Sequence, residues 1–103
     1  MATSARPSST LFGWCTTTPT PVHRDGVPSH VEFRVLPSGL RGAAPRDRRE
    51  QVVVVRGPLA DSCLRLVRAD RRVAVEGTLL AVDGPRGPEL HASAVALVWP
   101  IAT

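Results

Sequence analysis

The sequence has no lysine, no tyrosine and no asparagine, two cysteines, and four aromatic residues, Phe12, Trp14, Phe33 and Trp99. Without lysine, a phosphate-cradling loop of the Gly-Lys-Ser/Thr type cannot be built. Two thiols make at most one bridge, so this is not a small secreted scaffold stapled by several disulfides, and Cys15 and Cys63 are expected as buried free thiols. No apolar run approaches the roughly 20 residues of a membrane span. The opening "MATSARPSST" lacks the apolar stretch that follows the charge in a secretion signal. These shortages together lead us to expect a soluble protein kept inside the cell.

What remains is distinctive in charge. The 103 residues carry a net charge of +4, with thirteen arginines supplying all the fixed positive charge. A length of this order suits one domain that buries about two-thirds of its unfolded surface. The excess of cations favours an acidic partner, nucleic acid first. The missing lysine and abundant Ala, Gly, Pro, Arg and Val are the mark of GC-rich codon choice and say little about mechanism.

Period changes along the chain mark out its elements. Residues 1–8 have no apolar pattern and are expected as a flexible N-terminal arm, with a domain over 9–99 and a tail over 100–103. "STLFGWC" reads as a short first strand, with Gly13 as a bulge or bend. "TTTPTPVHRDGVPS", with three prolines and an Asp-Gly pair, reads as a turn-rich connection. "HVEFRVL" (30–36) alternates strictly, Val31, Phe33 and Val35 inward and His30, Glu32 and Arg34 outward, as a half-buried strand does. Residues 37–50 have neither period and form a long arginine-rich surface loop.

"QVVVVR" (51–56) resists a helix, because successive β-branched side chains crowd one. "GPLADSCLRLVRAD" then switches to helical spacing. Leu59, Cys63, Leu66 and Val67 share a face and Pro58 suits the first turn, so a short helix is expected over 58–69. "RVAVEGTLLAVDGPRGPELHASAVALV" supplies two strands, 72–82 and 88–98, joined by an arginine-tipped turn. Five strands with a helix between the third and fourth is the order of an all-β oligonucleotide/oligosaccharide-binding barrel (OB-fold), in which curling the sheet removes its exposed edges.

The quoted segments carry a resemblance as well. "LFGW", a Pro-containing link, "DGVPSHVEFRV", the arginine-rich loop, "VVVVRG", the helix, "RRVAVEGTL" and "ELHASAVAL" stand in the order seen in bacterial single-stranded-DNA-binding proteins. Within that family the chain most resembles the short dimeric relative, primosomal replication protein N. The resemblance covers about residues 9–98. It implies an OB-fold, binding of single-stranded DNA without catalysis and without a cofactor, and a homodimer paired through the sheets. It also implies partners at stalled replication forks, such as a restart helicase or other primosome proteins, and a bacterial cytoplasmic, nucleoid-associated setting, with RNA as the alternative nucleic acid. Longer family members add a flexible acidic tail, whereas this chain stops at "VWPIAT", which moves weight to the shorter relative. They also carry an aromatic at the end of the third strand, where this chain has Arg56.

A surface that holds a single strand needs cations along the backbone path and flat groups under the bases. Phe33 lies on the core phase. Trp14 is the stacking candidate among the other aromatics, and Trp99 is expected to cap the core or join a dimer seam. The cation candidates are Arg41, Arg46, Arg48 and Arg49 on the long loop, Arg34 and Arg56 on outward strand positions, and Arg86 at the hairpin tip. Arginine can meet a phosphate with two parallel hydrogen bonds and lay its plane on a base. Against this, Asp47 and Glu50 could neutralise the loop's own arginines. Arg65, Arg68, Arg71 and Arg72 are expected to serve solubility.

Enzyme readings lack parts. Ser62, Asp61 and His91 sit in no Gly-x-Ser-x-Gly context, and Cys15, Cys63, His23, His30 and His91 form no close-spaced ligand pair. The rival of another class is a barrel kept as a protein-interaction module, supported by the second, outward phase of Val52–Val55 as a subunit or partner surface.

Overall fold

A computed structural model of the chain describes residues 8–82 and 84–98. The elements run β1 (Ser8–Cys15), β2 (Thr20–Arg24), β3 (Val27–Pro37), β4 (Gln51–Val55), α1 (Gly57–Leu66), β5 (Arg72–Leu80) and β6 (Glu89–Leu97). Two 3₁₀ turns, Ser38–Leu40 and Pro45–Asp47, lie in the loop between β3 and β4. Ser8, expected in the arm, already belongs to β1. The rest of the arm, the tail and Trp99 lie outside the described residues.

Neighbouring strands follow the order β1-β5-β6-β4-β3, and β3 returns to β1 through Cys15↔Val35 and its neighbours. Five strands therefore close into a cylinder. The pairings are antiparallel except β4–β6, which is parallel, with Val53 opposite Leu90. Alternation drives this closure. Val31, Phe33 and Val35 of β3, Val53 and Val55 of β4, Val73 and Val75 of β5 and Leu90 of β6 all point inward and are buried, Phe33 at 1% exposure. Each such side chain removed from water contributes about 1.5–3 kcal/mol before entropy is charged. Ala60 and Cys63 of α1 and the following Val67 join the same cluster. The helix between β4 and β5 thus adds its apolar stripe to the barrel's core. This is the OB-fold, as the sequence order predicts.

Four details depart from expectation. The turn-rich connection contains a strand, β2, which pairs with β3 as a hairpin around Asp25 and Gly26, both at positive φ. Asp-Gly suits that tight turn because both residues tolerate the left-handed region. Pro21 is accommodated because β2 ends the sheet order, so its missing N–H breaks no ladder on a further strand. Gly13 makes no bulge, since the register runs regularly through it to both Val73 and Pro37. It is required by crowding, because a Cβ there would overlap the Leu36 carbonyl oxygen.

The helix stops at Leu66 rather than 69. Val67 is already extended, and the Arg68 guanidinium donates to the Leu64 and Val67 carbonyls at 2.9 and 2.8 Å, which satisfies the helix end. Leu66 consequently faces solvent, at 58% exposure, and Ala60 replaces it on the buried stripe. The outward phase of β4 is also not a free surface: Val52 and Val54 are 4% and 2% exposed within the single chain. The support for a partner groove on that row is therefore lost.

Candidate nucleic-acid interface

The outer face of the β3–β4–β6 wall is laid out by strand register. Arg34, Val52 and Glu89 form one row, and Glu32, Val54 and His91 the next. Polar residues thus flank a valine floor. The β5–β6 hairpin folds back over this floor and is held at two points. Gln51 Nε2 donates to the Pro88 carbonyl at 2.8 Å. Arg86 Nη2 reaches the Glu32 carboxylate, 2.9 Å from Oε2, and stands 3.6 Å from Glu89 Oε2. Because β4 lies between β3 and β6, the Arg86 side chain bridges across its outer face.

Electrostatics around that bridge are mixed. His30 Nε2 lies 3.5 Å from Glu32, and His91 Nε2 lies 3.1 Å from Glu89. Burial pushes the Glu32 carboxyl up, but the hydrogen bond and charge of Arg86, with His30, outweigh it and hold the group below the ordinary glutamate value. The Arg86 guanidinium is raised in turn, first by its hydrogen bond to Glu32.

Beside the hairpin opens a groove of about 1000 Å³ between β3, the 38–50 loop and residues 85–88. Arg34, Arg48, Arg49 and Arg86 line it against one carboxylate, Glu50. Glu50 accepts a hydrogen bond from Thr16 Oγ1 at 2.9 Å and forms no ion pair with the loop's arginines among the described residues. Asp47 stands 4.0 Å from Arg46, itself almost fully exposed. The loop's carboxylates therefore leave Arg48 and Arg49 unneutralised. Arg48 Nε donates to the Ala43 carbonyl at 2.8 Å, which fixes its stem while its charge faces the groove. Arg34 and Arg49 make no ion pair among the described residues.

The other candidates lie elsewhere. Arg41 stacks over Trp14 with its guanidinium carbon 3.8 Å from the ring centroid, and Arg72, read from sequence as a solubility residue, lies 5.3 Å from the same ring. Trp14 is therefore engaged as a cation–π anchor. With the Ser38 hydroxyl donating to the Phe12 carbonyl at 3.2 Å, it ties the 38–50 loop to β1. Arg46 stands off the groove, and Arg56 precedes α1 as its N-cap. Sequence reasoning missed Glu32, Gln51 and Arg72. Only the polar phase of "HVEFRV" marked Glu32, and no local signal pairs it with a residue 54 positions away.

Both cysteines are buried and free, each thiol pushed up to about 11, chiefly by burial. Ser62 and His91 have separate partners, the Pro58 carbonyl and Glu89. Among the described residues no group of three His, Cys, Asp or Glu is placed to hold a metal ion, and no helix is long and apolar enough to cross a membrane.

The closed cylinder, its helix between β4 and β5, and the groove beside the β5–β6 hairpin define a protein of the OB-fold class. No protein-family model and no curated protein matches the sequence. Among solved structures, the chain is similar to the small single-stranded DNA-binding protein from Streptomyces coelicolor. The TM-score is 0.73 at 18% identity, over 93% of this chain and 96% of that one. A match at that identity is one of fold, and it spans nearly all of both molecules.

Proposed function

We propose that this chain binds single-stranded DNA without catalysis, holding it mainly by arginine–phosphate contacts. The observation that carries the reading is the groove: four arginines from three separate segments converge on it against one carboxylate. A groove with a hairpin along one side suits a thin, flexible strand. No aromatic lines the described walls, so bases meet Leu11, Leu40 and proline surfaces while charge provides most of the grip. The structural likeness to a protein described as binding single-stranded DNA supports the same reading.

A role in replication or replication restart, with a restart helicase or other primosome proteins as partners, rests on the sequence resemblance, as does a bacterial cytoplasmic, nucleoid-associated location. The homodimer rests on it too, and is supported by the outer face of β1 and β5, where Phe12 stands 60% exposed opposite Ala74.

Fluorescence anisotropy with a labelled ~30-nucleotide poly-dT, duplex control and varied salt tests the binding reading. Three to four neutralised phosphates give a log–log salt slope of about −2 to −3, at about −0.7 per phosphate. Affinity that does not change between about 50 and 300 mM salt, or equal affinity for duplex, would sink it.

A further inference from the structure

One of the four groove arginines is already occupied. The Arg86 guanidinium is hydrogen-bonded to both Glu32 oxygens and stands beside Glu89. A carboxylate, like a phosphodiester, offers guanidinium a pair of anionic acceptor oxygens. We infer that Glu32 is a built-in competitor for the nucleic-acid backbone: it masks Arg86 and sets how much of the groove's charge is available to a strand. This rests on the reading of the groove as a single-strand site and adds to it a residue that tunes affinity.

Placement supports the assignment. Glu32 sits two residues from Arg34 on the same outward phase of β3 and lines the pocket that adjoins the groove, sharing Arg34, Val52 and Arg86 with it. Its only cationic arginine partner among the described residues comes from the hairpin along one side of the groove. The base of that hairpin is held independently, through Gln51 and the Pro88 carbonyl. Arg86 can therefore change partners without loss of the hairpin. The remaining charged groups facing this contact are Glu89, which lies close enough to share Arg86, and His30 and His91, each against one of the carboxylates. A phosphate entering the groove meets Arg34 and Arg49 unpaired, and Arg86 only after it has displaced Glu32.

The test compares wild type, Glu32→Gln, Arg86→Gln and the double variant for binding of labelled 30-nucleotide poly-dT over a salt series, with thermal melts to confirm folding. Glu32→Gln should bind about two- to fivefold tighter, the size expected when a half-exposed ion pair no longer has to be broken. Its salt slope should steepen by about 0.7, one added phosphate contact. In the Arg86→Gln background the same substitution should leave the slope unchanged, because the cation it unmasks is gone. Steepening in both backgrounds would show Glu32 acting as a bystander charge and overturn the proposal. So would wild-type affinity and slope in Glu32→Gln. If Glu32→Gln unfolds the barrel, Glu89→Gln must steepen the slope by a smaller amount, and no change there counts against masking. Absence of binding in both wild type and Glu32→Gln at low salt removes the single-strand reading itself. Binding by Glu32→Gln alone supports a stronger mask.

Discussion

Glu32 and Arg34 stand two positions apart on one phase of β3, yet one is bound and the other free. The difference arises from what reaches each from across the sheet. Arg34 faces the groove with no ion partner, whereas Glu32 receives Arg86. Because Arg86 holds the Glu32 carboxyl below its usual value, folding contributes stability there that is complete above about pH 4.3, the unfolded glutamate value, and is lost as pH falls through the folded one. Unfolding midpoints of wild type and Glu32→Gln measured from pH 6 down to pH 3 should therefore converge in acid. A gap that stays constant with pH would exclude this linkage. The free cations give a second prediction at this scale. Arg48→Ala with Arg49→Ala should make the salt slope of strand binding shallower by about 1.4, two phosphates' worth, with little change in melting temperature. Weaker binding at an unchanged slope would mean that the pair shapes the loop instead of contacting phosphate.

At the scale of elements, β1 pairs with both β5 and β3, and its Gly13 lies tight against the β3 backbone. Gly13→Ala would place a methyl against the Leu36 carbonyl oxygen, which cannot retreat without opening the barrel. A loss of about 1–3 kcal/mol, typical of overpacking, is expected as a drop in thermal midpoint. An unchanged midpoint would show that β1 and β3 separate easily. The 38–50 loop is held by its stack on Trp14, so Arg41→Ala should speed proteolysis within that loop and shift Trp14 emission to the red. Identical digestion and emission would deny the anchor. Much of this was legible in the sequence. Strict alternation fixes β3, the valine run fixes β4, and the change of period at Pro58 fixes the start of α1. The edge strand β2 was not, because prolines that would break a central strand are harmless at an edge, and edge position is a property of the whole sheet. Nor was the burial of Val52 and Val54, since a local pattern shows which side chains point outward but not which distant hairpin covers them. The groove arginines were legible as a class. Their sorting into four that line the groove, one that stacks on Trp14 and two that stand apart depends on contacts made across the fold.

At the scale of the molecule, the barrel separates two outer surfaces: the groove beside β3 and β4, with arginines from β3, the 38–50 loop and the hairpin, and the wall of β1 and β5 that carries Phe12. A homodimer built on the second would leave the first open to a strand. Phe12→Asp should then lower the sedimentation coefficient toward that of a monomer while preserving strand binding by each subunit. A dimer that survives the change would place the seam elsewhere. The cylinder is sealed by the parallel junction of β4 with β6, which joins Val52–Val54 to Glu89–His91. Those partners are made far apart in time. Until β6 is made, or during refolding until it docks, the valine-rich β4 has a bare edge able to pair with a neighbouring chain, a stage that favours clumping. Such distant pairing is intrinsically slow, and crowded refolding of this chain should lose material in proportion to the wait.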